Sequence, residues 1–583
     1  MTRLVSPACH WLEPTPVPAV ASEALARSLQ LPPLVCELLV RRGFATPDLA
    51  RPFLRPRLDD QHPPSDLPDI DLAAERVEEA IRSDKPILVH GDYDADGMCS
   101  AALLTRGLIR LGANVVGFVP HRMTDGYDLG PAGISRAAEV GARLIVTADC
   151  GTTAVDAVRA ASEQGIDVVV TDHHRPGATL PQAAAVVNPN REDSHYPFTG
   201  LAGVGVAYKL LDHLFSRAGL PPEALNEHLD LVALGTVADL APLRDENRVL
   251  VRAGLRAMAR SRKPGIRALL RLARLDDRET LEEAHLGFIL GPRLNSVGRM
   301  AAAADGLRLL VTDDEKEAVR LARHLDKQNT LRRTTDRRVL AEAEQQLAER
   351  FDPDSDRAVV MWSDDWHPGV IGIVASRIVD RVHRPVVLVA FDGDIGRGSG
   401  RSVAGFHLHR ALERCEDLLE RYGGHRMAAG FDIRRDNLEA FRDRFVAVAA
   451  EEFAEDDLVP RLPIDLVAPL SSAAGELPKW LRHLGPFGVE NPSLLIEVRG
   501  VEIERPILTG ADEAHLKTTL VDSDGTRLPA IGFGMGSRFP EVLETRLWDV
   551  VFELIEDRWR GRVRPLARLR DFRPSETGGP GPE

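Results

Sequence analysis

The sequence predicts an α/β protein: two α/β domains, a long helix joining them, and a small β-barrel toward the C-terminus. Three observations carry this. Short β-branched runs at Pro86–Val89, Asn114–Val119, Arg143–Thr147 and Asp167–Thr171 alternate with helical patterns, and such alternation implies a parallel sheet with crossover helices. The segment Glu315–Phe351 contains neither Pro nor Gly, so nothing in it breaks a helix. Beyond Leu458 come short strands, Leu494–Val498, Leu516–Val521, Asp549–Leu554 and Leu566–Leu569, punctuated by Gly and Asp. That is the pattern of a small barrel.

The elements follow in order. Residues 1–71 hold a helical stretch and then the Pro- and Asp-rich segment Arg51–Asp71, which reads as a linker. Residues 72–245 form the first α/β domain. Within it Met98, Ala101, Leu104, Leu108 and Leu111 mark one face of a helix over Gly97–Leu111. Residues 246–355 are helical and end in the long helix. Residues 356–457 form the second α/β domain, opening with the strand Ala358–Trp362. Residues 458–574 form the barrel, and the Gly- and Pro-rich tail 575–583 is expected to be disordered. A chain of 583 residues is too long for one core.

Chemistry concentrates at the strand ends. Asp92, Asp94 and Asp96 stand at alternate positions just after His90. Like charges this close disfavour mutual ionisation, and a bound cation removes that cost. Asp149, the triplet Asp172-His173-His174, and Asp239 each follow an apolar run. Ligands on open α/β sheets bind beyond the carboxyl ends of the strands, so these groups are expected to meet. One Asp after a strand is an ordinary turn former. Four such sites mixing Asp and His point to a metal centre, and oxygen-rich ligands with imidazole suit Mn²⁺ or Mg²⁺.

On these residues the chain resembles the DHH phosphoesterase superfamily, which the Asp172-His173-His174 triplet names. Within it the chain is similar to the RecJ-type single-stranded-DNA-specific exonucleases. The matching stretches include Val89–Gly97, Asp149–Gly151, Leu201–Lys209, Ala233–Asp239, Pro292–Met300, Trp366–Gly372, Gly398–Ser402 and Gly423–Gly430. The resemblance implies a DHH domain, a DHH-associated domain and a C-terminal OB-fold.

It also implies roles. His90, Asp94 and Asp149 would hold one Mn²⁺ or Mg²⁺ ion. Asp96, Asp149, His173 and Asp239 would hold a second, with Asp149 bridging. Asp92 would support the ligands from behind, and Asp172 would orient the histidine pair. His174 would face the scissile phosphate as ligand neighbour or proton donor. Arg122 would read a 5′ phosphate; Asn295, Arg299, Gly424 and His425 would contact substrate. Ser399 and Arg401 lie in a Gly-rich run, read here as a loop whose N–H groups form an anion nest.

Net charge is −15, but binding to nucleic acid depends on local potential. Basic clusters occur at Arg320–Arg338 and at Arg558–Arg564, where Trp559 stands among arginines. The five cysteines are scattered, form no CxxC pair, and fit a reducing compartment. With no signal peptide and no membrane-length apolar run, a cytoplasmic protein is expected. The function expected is 5′-to-3′ exonuclease action on single-stranded DNA, with single-strand-binding protein or a helicase as partner by resemblance. The alternatives are a phosphodiesterase for short oligonucleotides or cyclic dinucleotides, and a non-catalytic replication scaffold.

Overall fold

The computed structural model describes residues 9–122, 124–300, 302–559 and 562–576. The chain divides into two compact units. One comprises Asp48–Thr330 and Arg482–Ser493; the other comprises the residues up to Pro47, Leu331–Leu481 and those from Leu494 onward.

The first unit is built on a parallel sheet of five strands: β1 (Ile87–Gly91), β2 (Val115–Phe118), β3 (Leu144–Ala148), β4 (Asp167–Thr171) and β5 (Ala185–Val187). All five residues of β1 and of β3 are buried, as a sheet covered by helices on both faces requires. The strand order is β2-β1-β3-β4-β5. The chain therefore reverses its direction of winding between β1 and β3, which is where open α/β sheets form their ligand crevice. Beyond the strands the ladder continues for one more bond each. The Asp92 amide donates to Ala148 O (3.3 Å), Asp149 to Thr171 O (3.0 Å) and Asp172 to Val187 O (3.2 Å). Three acids are thereby aligned across the sheet's end.

Helices α1 (Ala95–Arg110), α2 (Gly203–Arg217), α3 (Leu229–Ala238) and α4 (Gly291–Met300) surround this end. Helix α5 (Glu315–Arg350) is continuous over 36 residues. Its Leu321, Ala322 and Leu325 are buried in the core of the first unit. Val339, Ala343 and Leu347 are buried in the core of the second.

The segment Arg51–Asp71 is not a free linker. It contains the short 3-10 turns Leu58–Asp60 and Pro64–Asp66. The His62 amide donates to Glu246 Oε1 (2.9 Å), while Lys209 Nζ donates to His62 O (2.8 Å) and Gln61 Oε1 (3.2 Å). Lys209 and Glu246 are themselves a fully buried ion pair, which Tyr196 Oη completes by donating to Glu246 Oε2 (2.6 Å). Losing either partner of such a pair leaves an uncompensated buried charge, so the network pins the segment. Its anchors lie more than a hundred residues away, which local composition cannot show.

In the second unit, β6 (Val359–Ser363), β7 (Val386–Asp392), β8 (Ile395–Arg401), β9 (Leu419–Gly424) and β10 (Ala428–Arg434) form a sheet of order β9-β10-β8-β7-β6. Only β6 and β7 are parallel, so this sheet is mixed. Helix α6 (Ile371–Val382) packs on β7 and β8. The barrel consists of β11 (Leu495–Thr509), β12 (His515–Val521), β13 (Arg527–Gly532), β14 (Leu547–Trp559) and β15 (Arg562–Pro574). Its order is β11-β12-β13-β15-β14, closed by β14 on β11, with β13 and β15 parallel. A short strand near the N-terminus, His10–Leu12, pairs with Arg461–Pro463. Its buried Trp11 donates from Nε1 to Asp571 Oδ2 (2.7 Å). The side chains of Arg558, Trp559, Arg560 and Arg562, and residues 577–583, lie outside the described residues, and with them the stacking role of Trp559 and the disordered tail.

Among the described residues no helix is long and apolar enough to cross a membrane.

Candidate metal centre

Asp94 is the N-cap of α1 and accepts from the Gly97 amide (3.0 Å). Gly97 has no substitute, since a Cβ there would lie 2.5 Å from Asp92 N. Asp96, in the first turn, is buried. Its Oδ2 accepts from the Gly203 amide (2.8 Å) and its Oδ1 from Val204 (3.0 Å). Both amides are donors that the N-terminus of α2 leaves unpaired. Helices α2 and α3 approach closely because glycine faces the acids. A Cβ on Gly203 would be 2.4 Å from Asp149 Oδ1, and one on Gly235 would be 2.6 Å from Asp96 Oδ1. Asp149 itself has φ +67°, a left-handed conformation that Asp tolerates better than most residues. Asp239 is the C-cap of α3, the negative end of the helix dipole.

Asp172 is the hub of the histidine pair. Its Oδ1 accepts from the amides of His173 (2.7 Å) and His174 (3.1 Å) and lies 2.7 Å from His174 Nδ1; its Oδ2 accepts from Thr152 N (2.9 Å). Asn190 and Asn188 donate to the carbonyls of His173 (2.6 Å) and His174 (2.9 Å). The loop is thus fixed on both sides, and His173 Nε2 stands 3.1 Å from Asp149 Oδ1 and 3.9 Å from Asp239 Oδ2.

These positions bring ligand atoms into three overlapping groups, each within 4.8 Å: Asp149, His173 and His174; Asp96, His173 and Asp239; Asp92, Asp94 and Asp149. Asp92 Oδ1, Asp149 Oδ1 and His173 Nε2 are buried with no partner in hydrogen-bond geometry. Burial, then neighbouring acids, push Asp92 and Asp149 well above the ordinary carboxylate range. The same causes raise Asp96 to about 7 and Asp239 to about 9. Burial, then His174, lower His173 to about 4, which keeps its imidazole neutral. Burial opposes ionisation of His174, but its bond to Asp172 prevails and raises it to about 9. Asp172, despite its burial, is held below the ordinary range by His174. Converging acids that repel one another, with unpartnered buried oxygens and a neutral imidazole, are a donor set suited to divalent cations.

The placement differs from the sequence reading at two residues. Asp92 joins a ligand group, whereas His90 joins none among the described residues. Alternation along β1 gives His90 the same face as Leu88, against the helix Pro131–Glu139. A Cβ on Gly133 of that helix would lie 2.6 Å from His90 Nε2, and His90 Nδ1 is 3.7 Å from Cys150 Sγ.

A pH dependence follows. A carboxyl whose folded pKa is raised binds more protons folded than unfolded, so stability falls as pH rises from its unfolded to its folded value. For metal-free protein the window runs from about 4 up through about 7 for Asp96 and about 9 for Asp239. In EDTA, Tm should drop by several degrees between pH 5 and pH 9, and Mn²⁺ should restore it most at the alkaline end. A flat profile in thermal melts would contradict this account.

The chain matches three family models: the DHH family N-terminal domain over residues 86–236, the DHHA1 domain over 355–451, and the RecJ OB domain over 464–571. It is 38% identical over 563 residues to the single-stranded-DNA-specific exonuclease RecJ of Salmonella typhimurium, covering 93% of this chain and 96% of that protein. The chain belongs to the RecJ family. The crystal structure of RecJ from Thermus thermophilus in complex with Mn²⁺ matches with TM-score 0.83 at 34% identity, over 99% of this chain and 80% of the other. The Mg²⁺ complex from the same source matches with TM-score 0.76 at 32% identity, over 97% and 79%. RecJ-family membership accounts for the chain's DHH, DHHA1 and OB domains and its Mn²⁺- or Mg²⁺-type ligand cluster.

The rest of the RecJ cleft comes from loops and α4. Tyr93, Arg122, Tyr127, Asn295 and Arg299 line the cavity beside Asp92, Asp94, His174 and Asp239. Asn295 Oδ1 accepts from the Ala95 amide (2.8 Å), tying α4 to the start of α1. The Arg122 guanidinium lies 5.1 Å over the Tyr93 ring, and Tyr127 Oη is 3.3 Å from His174 Nε2. Neither tyrosine is singled out by the sequence reading. Tyr93 falls between Asp92 and Asp94 and Tyr127 five residues after Arg122, and an aromatic close to candidate ligands or to a candidate phosphate-contacting arginine is the signal that would have found them.

Ser399 and Arg401 are not in a loop. They lie on β8, paired to β7 and β10 on either side, so the sheet occupies this strand and the anion-nest reading falls. Glycine alternates here because of packing: a Cβ on Gly398 would be 2.2 Å from the Phe431 ring. Ser399 and Arg401 instead share the face that meets the first turn of α6. A Cβ on Gly372 would lie 2.8 Å from both Ser399 Oγ and Arg401 Nη2. Gly424, at φ +136°, and His425 form the β9–β10 hairpin, where the His425 amide donates to Ala428 O (2.8 Å). Gly424, Ala429 and Gly400 stand in one row across the sheet.

Proposed function

We propose that this chain is a metal-dependent exonuclease that releases nucleotides from the 5′ end of single-stranded DNA. The carrying observation is the convergence of Asp92, Asp94, Asp96, Asp149, His173 and Asp239 at the carboxyl end of one sheet, with buried oxygens unpartnered, in a chain of the RecJ family. Bound Mn²⁺ or Mg²⁺, taken as two ions, supplies a polarised phosphate and an activated water. Asp149, central to two ligand groups, is the shared ligand. Asp96 is fixed by the α2 amides, so it meets a cation without reorganising. Asp172 holds a proton on His174 Nδ1 and directs Nε2 toward the cleft and Tyr127 Oη, where it can supply a proton to the departing oxygen. Arg122, Arg299 and Asn295 contact phosphate in the cleft, and Asn295 also ties the helix of Arg299 to the start of α1.

We assign catalysis to 72–245, the helical connection to 246–355, substrate binding to 356–457 and strand binding to the barrel 458–574. Cytoplasmic action, and docking of single-strand-binding protein or a helicase, belong to the same proposal. Ser399, Arg401, Gly424 and His425 serve as the phosphate-contacting set of the second α/β domain. Arg401→Ala should weaken substrate affinity by about 1.5–3 kcal/mol, the usual worth of a charge-assisted hydrogen bond, with Mn²⁺ affinity unchanged. Titration calorimetry with Mn²⁺ separates the two: a large loss of metal binding at normal substrate affinity would show that Arg401 was misassigned. Digestion of 5′- and 3′-labelled single strands with Mn²⁺, duplex as control, tests the activity. First release from the 3′ label, or equal cleavage of blunt duplex, contradicts it.

A further inference from the structure

Two large apolar side chains stand exposed on the elements that border the site. Phe288 is 84% exposed and Leu240 70%. Both sit on irregular backbone. Leu240 directly follows Asp239 with φ +61°, a conformation costly for a branched residue and typically kept for function. Phe288 is in the π-helical turn Leu286–Leu290 that runs without a break into α4, and π-turns concentrate at functional sites. The two elements touch: a Cβ on Gly291 would be 3.2 Å from Ala238 Cβ, and one on Gly287 would be 3.4 Å from Val237 Cγ1. Helical spacing carries the cleft face onward. Within α4, Arg299, Asn295 and Pro292 are separated by steps of four and three residues, which share one side of a helix, and Phe288 lies one turn further on, in the π-helical turn. From Asn295 to Phe288 is about 10 Å of helix.

We infer that Phe288, with Leu240 beside it, forms a base-stacking ledge at the Asp239 edge of the cleft. It receives a nucleobase of the single strand next to the bound phosphates. Singly exposed apolar residues are common; what marks these two is that one directly follows the Asp239 C-cap and the other runs into the helix of Asn295 and Arg299, and the occupant is set by that continuity with the cleft. A base offers a π-face only when it is unpaired on a flexible strand, so the ledge favours single strands over stacked duplex. Arg299 and Asn295 hold phosphate; Phe288 reads the flat face of a base without regard to its identity.

The inference rests on the proposed activity, and the test separates the two. Wild type, Phe288→Ala, Phe288→Leu, Phe288→Trp and Leu240→Asn are assayed with Mn²⁺ on single-stranded oligonucleotides. A single abasic nucleotide is walked along the strand from the 5′ end. Phe288→Ala should raise KM roughly ten-fold or more, in line with measured stacking contributions, with kcat and Mn²⁺ affinity little changed. Phe288→Trp should restore KM, and Leu should not. Leu240→Asn, which keeps the left-handed backbone accessible, should raise KM by a smaller factor. One abasic position should impair the wild type and leave Phe288→Ala indifferent. An active wild type with unchanged KM in Phe288→Ala overturns the ledge and leaves Phe288 to a protein partner. Wild type without activity on single strands overturns the proposed function instead.

Discussion

Asp149→Asn should reduce hydrolysis of single-stranded DNA by about a thousand-fold or more, while raising the Tm of the metal-free protein. The residue is placed in two ligand groups at once, with His173 and His174 on one side and Asp92 and Asp94 on the other. Losing the shared ligand removes several kcal/mol of charge stabilisation from the transition state, which converts to that factor in rate. The opposite effect on stability has the same origin. Asp149 is buried, and its neighbours Asp96, Asp94, Asp239 and Asp92 all oppose its ionisation, so an uncharged amide relieves repulsion. Asn is the informative substitution because it tolerates the left-handed φ of +67° found there. Single-turnover assays with 5′-labelled strands and thermal melts in EDTA read the two effects. Activity within ten-fold of wild type at saturating Mn²⁺ would remove Asp149 from the centre of the mechanism.

Gly203→Ala should cost roughly 10- to 100-fold in Mn²⁺ affinity, the range seen when groups that orient metal ligands are disturbed. The added methyl would stand 2.4 Å from Asp149 Oδ1 and 2.5 Å from its Cβ, closer than any real contact. Asp149 cannot yield easily, since its amide is bonded to Thr171 O. If α2 yields instead, the amides of Gly203 and Val204 leave Asp96. Either response moves a ligand. Overpacking of this kind costs about 1–3 kcal/mol of stability, so the protein should still fold. Gly205→Ala is the matched control: the nearest atoms to its methyl would be those of the Leu201 side chain, at 3.1 Å and beyond. Equal Mn²⁺ affinity in the two variants would show that the contact at Gly203 is slack.

Much of the fold was legible in the sequence because its signals are local. The β-branched runs of the first sheet appear within two residues of their predicted limits, and α5 ends one residue earlier than its Pro- and Gly-free segment. In the second sheet only β6 was read, and in the first sheet and the barrel β5 and β13 went unseen. Ala185–Val187 is only three residues long, and Arg527–Gly532 carries Pro529 and Gly532, which weaken a strand signal. The candidate site was half legible. Residue type and position at strand ends indicated a cation site and which groups were in play.

The choice between His90 and Asp92 was not available there. It depends on which face of β1 a helix covers: the His90 ring lies against Gly133, with its Nε2 buried and without a partner. The same limit explains the other revisions. Gly398–Ser402 reads as a flexible loop until β7 and β10 flank it. Arg51–Asp71 reads as a linker until Lys209 and Glu246 bind it. What the sequence alone determined was the chemistry: oxygen-rich cation ligands with imidazole at the ends of parallel strands, and a family pattern running through them. What only the tertiary structure decided was which of those groups meet. Periodicity and turn chemistry act over a few neighbouring residues. The contact that fixes Asp96 spans 107 residues, and it exists only once the helix beginning at Gly203 packs against the end of the sheet.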